Sequence, residues 1–233
     1  MNVWPPDYTV IRHPRSKRVK IKASAKKGLE LIVPPRFSLK HIPIILVENR
    51  PWIEKQLLKL ANPERATLPE KIVLRAIDET WSIEYIESDF SARIIARPHQ
   101  ALAVVGAIRN QSICKNLLIN WLKQLARHHL KNQLDTVSRE IDLTYRKMTI
   151  RDQETRWGSC TKDKNISLNY RLLFLPAPLM KHILIHELCH TVHLNHSSRF
   201  WKLVEKHDPN WETHRRDTKK VREFVPAWTD HFF

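Results

Sequence analysis

The residues of this 233-residue chain best suited to chemistry lie together at His186-Glu187-Leu188-Cys189-His190. Two histidines four apart share one helical face, so both imidazoles can point at a single ion. A carboxylate beside the first histidine can take a proton from water on that ion, whose pKa zinc lowers from 15.7 to about 7. The chemistry this implies is hydrolysis by metal-activated water, with Zn2+ as the cofactor.

A catalytic zinc commonly takes three protein ligands and leaves one position open. His196, six residues after His190, is off the shared face but within reach if the chain turns after Leu194, where Asn195 tolerates a left-handed cap. His193, one turn after His190, and Glu205, on a following helix over Ser197 to His207, compete for that place. His182 reads as an ordinary surface or core histidine. The expected site is therefore His186, His190 and His196 as metal ligands, with Glu187 as the catalytic base.

The helix carrying this motif is expected to open at Pro176 and Pro178 and to continue through His193. A long amphipathic helix precedes it from about Ser112 to Arg139, because Ile113, Leu117, Trp121 and Leu125 step by four and Leu130, Leu134 and Val137 extend the stripe. Strands are expected at Thr144 to Ile150 and at Ile166 to Leu175. Before Asn110 the pattern is mostly β: a hairpin across Tyr8 to Pro34 with a Lys26-Lys27-Gly28 turn, then runs at Lys71 to Ala76, Thr80 to Ser88, Ala92 to Ala96 and Ala101 to Ile108. Ser38 opens two short helices to Leu60, broken near Pro51. The fold class is α+β, divided into a mostly β region over 1–110 and a catalytic region over 111–233.

The segments Arg156-Trp157-Gly158-Ser159-Cys160, Leu168-Asn169-Tyr170-Arg171-Leu172, His186 to His190, and Asn195-His196-Ser197 with Phe200-Trp201 resemble the YgjP-like metal-dependent hydrolases, zincins related to SprT-like proteases. The likeness extends through Lys17 to Leu60, so it spans about Arg15 to Lys220. It implies a metallopeptidase with His186, His190 and His196 at the zinc-ligand positions and Glu187 at the catalytic glutamate. It also implies a small mixed sheet beside the active helix, whose edge strand, expected at Ile166 to Leu173, pairs with an extended peptide. Gly158 can allow close backbone approach, while Trp157, Cys160 and Cys189 read as core-filling residues. Tyr170 or Arg171 can be considered for an oxyanion.

Composition bounds the rest. At 42% hydrophobic and 27% charged, with 3 Gly, the chain is neither disordered nor collagenous. Its three cysteines are too few for a disulfide framework and suit a reducing, cytoplasmic setting. No apolar run approaches the roughly 20 residues of a membrane helix. The net charge of +16 is spread evenly, with 19 Lys/Arg against 11 Asp/Glu in residues 1–110 and 21 against 13 in 111–233. The densest patch, Arg12 to Lys27, holds eight Lys/Arg and no acid. Such a surface attracts polyanions. The rival reading is thus a basic nucleic-acid-binding protein whose zinc is structural, or a peptidase recruited to nucleic-acid-bound proteins. A peptide or protein substrate is the expected partner of the leading one, and the sequence leaves the oligomeric state open.

Overall fold

The structure, a computed structural model, describes residues 4–24, 28–60, 67–153 and 155–229. The chain forms two compact units, residues 1–66 with 230–233, and residues 67–229. The change of periodicity at Asn110 thus falls inside the second unit, where the strands before it and the helix after it share one core.

In the first unit β1 (Tyr8–Arg12) runs parallel to β3 (Gly28–Val33), and β2 (Lys20–Ser24) pairs antiparallel with β3 on its other side. Lys26 and Lys27 of the expected turn lie outside the described residues. Leu29, Leu31 and Val33 of β3 pack with Ile42 and Leu46 of α1 (Ile42–Glu48) and Ile53 of α2 (Arg50–Leu60), burying the apolar face of the hairpin. Arg18, Lys20 and Lys22 alternate with Val19 and Ile21 and are exposed, as the period of two requires.

The second unit begins with a four-stranded mixed sheet ordered β4 (Lys71–Leu74), β5 (Glu79–Glu87), β7 (Ala101–Gly106), β6 (Arg93–Arg97). Then comes α3 (Gln111–Glu140), whose first turn is capped by the Asn110 side chain accepting from the Ile113 amide. Its stripe of Leu118, Leu122, Ala126, Leu130 and Leu134 is fully buried, and the helix packs on β8 (Lys147–Arg151) and on α4 (Ala177–Cys189). Because α4 is apolar on nearly every side, it runs through the core rather than over the surface.

Beside α4 lies a three-stranded mixed sheet in which β10 (Asn165–Asn169) is central, parallel to β8 and antiparallel to β9 (Gly158–Cys160). This corrects two expectations. The Ile166 to Leu173 segment is not an edge strand, because β9 folds back onto it and takes the edge. Its second half is also not a strand, for Tyr170–Phe174 winds into a 3-10 helix after the Asn169 side chain accepts from the Arg171 amide.

The candidate metal centre

The helix carrying the motif ends earlier than its pattern suggests. α4 stops at Cys189, and the Thr191 hydroxyl and amide both bond to the Leu188 carbonyl, tightening the turn. The chain therefore leaves the helix just past His190 rather than after Leu194. It reverses before α5 (Ser198–His207), so that His196 comes back to the helix face.

There the three imidazoles converge. His186 Nε2 lies 3.2 Å from His190 Nε2 and 3.1 Å from His196 Nε2. Four ligands placed tetrahedrally about 2.0–2.1 Å from one zinc are separated by roughly 3.3–3.4 Å, so the donor set suits such an ion. His190 donates Nδ1–H to the His193 carbonyl at 2.9 Å, which leaves its Nε2 lone pair facing the cluster. His193 thus contributes through its backbone. Burial, then the neighbouring imidazoles, push His186 down to about 3, and burial likewise lowers His190, so both are held neutral and ready to donate a lone pair. Cys160, Cys189 and Glu205 are not among the groups that converge here. Burial, with the Glu187 charge, pushes the Cys160 thiol up to about 11, and burial pushes Cys189 up to about 12. Both suit structural thiols.

Glu187 is 5% exposed, and its Oε2 has no hydrogen-bond partner among the described residues. Desolvation raises the carboxyl to about 8, against the opposing pull of Arg156. The side chain rests on β9: a Cβ added to Gly158 would stand 2.6 Å from Glu187 Oε1 and 2.7 Å from its Cγ. Only the absence of a side chain at 158 gives this carboxylate its place. Asn169 holds the loop leading into β9, since its Nδ2 donates to the carbonyls of Gln153 and Arg156 at 2.7 and 3.0 Å.

His196, the one exposed member of the trio, is braced by aromatics. It stacks on Trp201 at 5.6 Å and meets Phe200 edge-on at 4.9 Å. Trp201 is stacked in turn on Trp211 of α6 (Trp211–Asp217). Phe200 and Trp201, which belong to the segments carrying the family resemblance, supply this brace.

Arg171 and Tyr170 are not cleft residues. Arg171 is buried, pairs with Asp152 at 2.6 Å and donates to the Thr229 carbonyl, while the Tyr170 hydroxyl donates to the same carbonyl. They anchor the chain at Thr229, which corrects the oxyanion expectation.

A second histidine cluster went unread in the sequence. His182 Nδ1 donates to Asp208 Oδ2 at 2.6 Å, and His214 Nδ1 donates to both oxygens at 2.9–3.0 Å. The 2.6 Å separation is that of a charge-assisted hydrogen bond and is too short for two ligands of one zinc.

With this geometry in view, residues 17–221 match the YgjP-like, metallopeptidase domain family. The chain belongs to the YgjP-like family. It is accordingly a metal-dependent hydrolase, and its class acts on peptides or proteins. A solved structure, the metallopeptidase zymogen of Pyrococcus abyssi abylysin, is 26% identical, covering 40% of this chain and 92% of that one with a TM-score of 0.35. No curated protein matches the chain. Among the described residues no helix is long and apolar enough to cross a membrane.

Proposed function

We propose that this YgjP-like chain is a zinc-dependent metallopeptidase of zincin type, in which His186, His190 and His196 hold the ion and Glu187 is the general base. One observation carries the reading: His186 Nε2 lies within 3.2 Å of both His190 Nε2 and His196 Nε2, and the next residue on the helix, Glu187, has a buried carboxylate oxygen with no hydrogen-bond partner among the described residues. A three-histidine set leaves a coordination position open, as a catalytic site needs and a structural one does not. Every residue this chemistry uses lies in 111–233, which we assign as the catalytic region after a mostly β region over 1–110.

When bound, zinc supplies Lewis acidity, polarising a carbonyl and making water a nucleophile near neutral pH. Glu187 takes the proton of the attacking water and passes it to the leaving amine. Its burial raises its basicity towards the working pH, and a nearby cation favours the ionised form it needs as a base. His190, fixed by the His193 carbonyl, and His196, fixed by Trp201, keep their ring orientations through the cycle. β9, as the edge strand against Glu187, is the place where an extended substrate backbone would pair.

Glu187→Gln tests this directly. The variant should retain close to one zinc per chain and lose at least about 1000-fold in peptide hydrolysis. Wild-type protein that folds without binding zinc, or a variant that keeps its activity, rules the assignment out.

A further inference from the structure

Two arginines belong to segments that border the candidate metal centre, and neither has a carboxylate partner among the described residues. Arg215 on α6 lies 4.3 Å over the Trp201 ring, and Trp201 is the residue on which His196 stacks. Stacking holds a guanidinium by its flat face and leaves its in-plane N–H donors pointing outward, in the fork that matches a carboxylate. Arg156 precedes Gly158 by two residues, and Gly158 is the residue against which Glu187 packs. Its backbone is fixed through the bond from Asn169 to its carbonyl.

Both side chains are exposed, and neither forms an ion pair with a described carboxylate. Among other arginines of this unit, Arg97 pairs with Glu84 and Arg171 with Asp152, while Arg75 and Arg93 lie, like Arg215, over aromatic rings. An exposed ion pair contributes little when two flexible chains must be ordered. Arg215 is already ordered by its aromatic bed, and bidentate pairing to a pre-oriented fork is correspondingly stronger. The net +16 of the chain adds a general attraction for acidic ligands.

We propose that Arg156 and Arg215 are specificity-determining residues that recognise acidic side chains of the substrate on either side of the cleaved bond, so that the preferred substrate is an acidic peptide segment. This rests on the peptidase reading above. The test uses matched peptides carrying Glu, Gln or Lys at the positions flanking the bond, with zinc-loaded protein at low and high salt. Hydrolysis is compared as kcat/KM ratios, and binding is measured separately on the Glu187→Gln protein, whose affinity for uncleaved peptide does not depend on turnover. The Glu peptides should exceed the Gln peptides by about 10-fold in both measurements, and the Lys peptides should fall below both. The advantage should shrink at high salt. Arg156→Gln and Arg215→Gln should each reduce the Glu/Gln ratio by several-fold, and the pair together should bring it near one. Equal use of Glu and Gln peptides by the wild type, a preference that survives both substitutions, or tighter binding of a single-stranded oligonucleotide than of the acidic peptide overturns the proposal. Selective binding of the Glu peptides without hydrolysis by zinc-loaded wild type upholds it while removing the activity on which it was built.

Discussion

Asp208 and Glu187 are both buried carboxylates, yet Asp208 accepts from two histidines while Glu187 Oε2 has no donor among the described residues. The first receives N–H groups from His182 on α4 and His214 on α6, and so joins the helices around it. The second is wedged against the Cα of Gly158, one residue along α4 from His186, whose Nε2 faces those of His190 and His196. A buried polar group that is fully bonded is a strut; one left short of partners must be supported by its surroundings and is available for another ligand or proton. Two buried carboxylates, one reaching His182 from the end of α5 and the other following His186 on α4, are thus suited to stability in one place and to chemistry in the other.

The comparison can be broken most severely at Gly158. In Gly158→Ala the new methyl would collide with Glu187 Oε1 and Cγ, so the carboxylate must move while the histidines keep their places. Displacing a base by about 1 Å is worth roughly 100-fold. We expect kcat for peptide hydrolysis to fall by about that factor with zinc still near one per chain. An unchanged kcat would show that the wedge does not set the position of the base.

Asp208→Asn attacks the strut. Removing the charge leaves two imidazole donors sharing a weaker acceptor, and a hydrogen bond to a charged group contributes about 1.5–3 kcal/mol. Urea unfolding should therefore show a loss of about 2 kcal/mol, with zinc stoichiometry untouched. If the variant instead bound one zinc fewer than wild type, the cluster would be a metal site and the contrast with Glu187 would collapse.

How far the sequence carried this contrast depends on the range of each interaction. The convergence of His186, His190 and His196 was readable because His186 and His190 are tied by helical spacing and His196 follows within one reversal of the chain. The α3 stripe was readable for the same reason. The Asp208 strut joins residues 26 and 6 positions apart in different helices, and no local pattern distinguishes His182 from an ordinary buried histidine. Strand order has the same difficulty: β10 has the alternation of a strand whether it is central or at the edge, and only the return of β9 decides. Gly158 was marked as a place of close approach, but the chain that approaches, 29 residues later, was not visible. The division at Thr67 sits in a segment that reads merely as a loop, whereas the shift of periodicity at Asn110 separates elements that share a core.

The smallest expected effect is a slope. Burial lowers the pKa of His182 in the fold, with Asp208 opposing, whereas in the unfolded chain the same imidazole protonates near pH 6.5. The unfolded state therefore binds the extra proton first, so this group's contribution to stability is complete above pH 6.5 and declines as the pH falls through that value towards the lowered folded pKa. One such group gives at most about 1.4 kcal/mol per pH unit. Other histidines buried in the fold add slopes of their own, so the informative quantity is a difference. Unfolding free energies of wild type and His182→Phe, measured at pH 7, 6 and 5, should converge on acidification, because the wild type loses stability more steeply by up to that amount. Curves that diverge on acidification would mean that His182 is already charged in the fold, making its bond to Asp208 an ion pair rather than a neutral donor on a carboxylate, and parallel curves would mean that folding leaves its pKa unchanged.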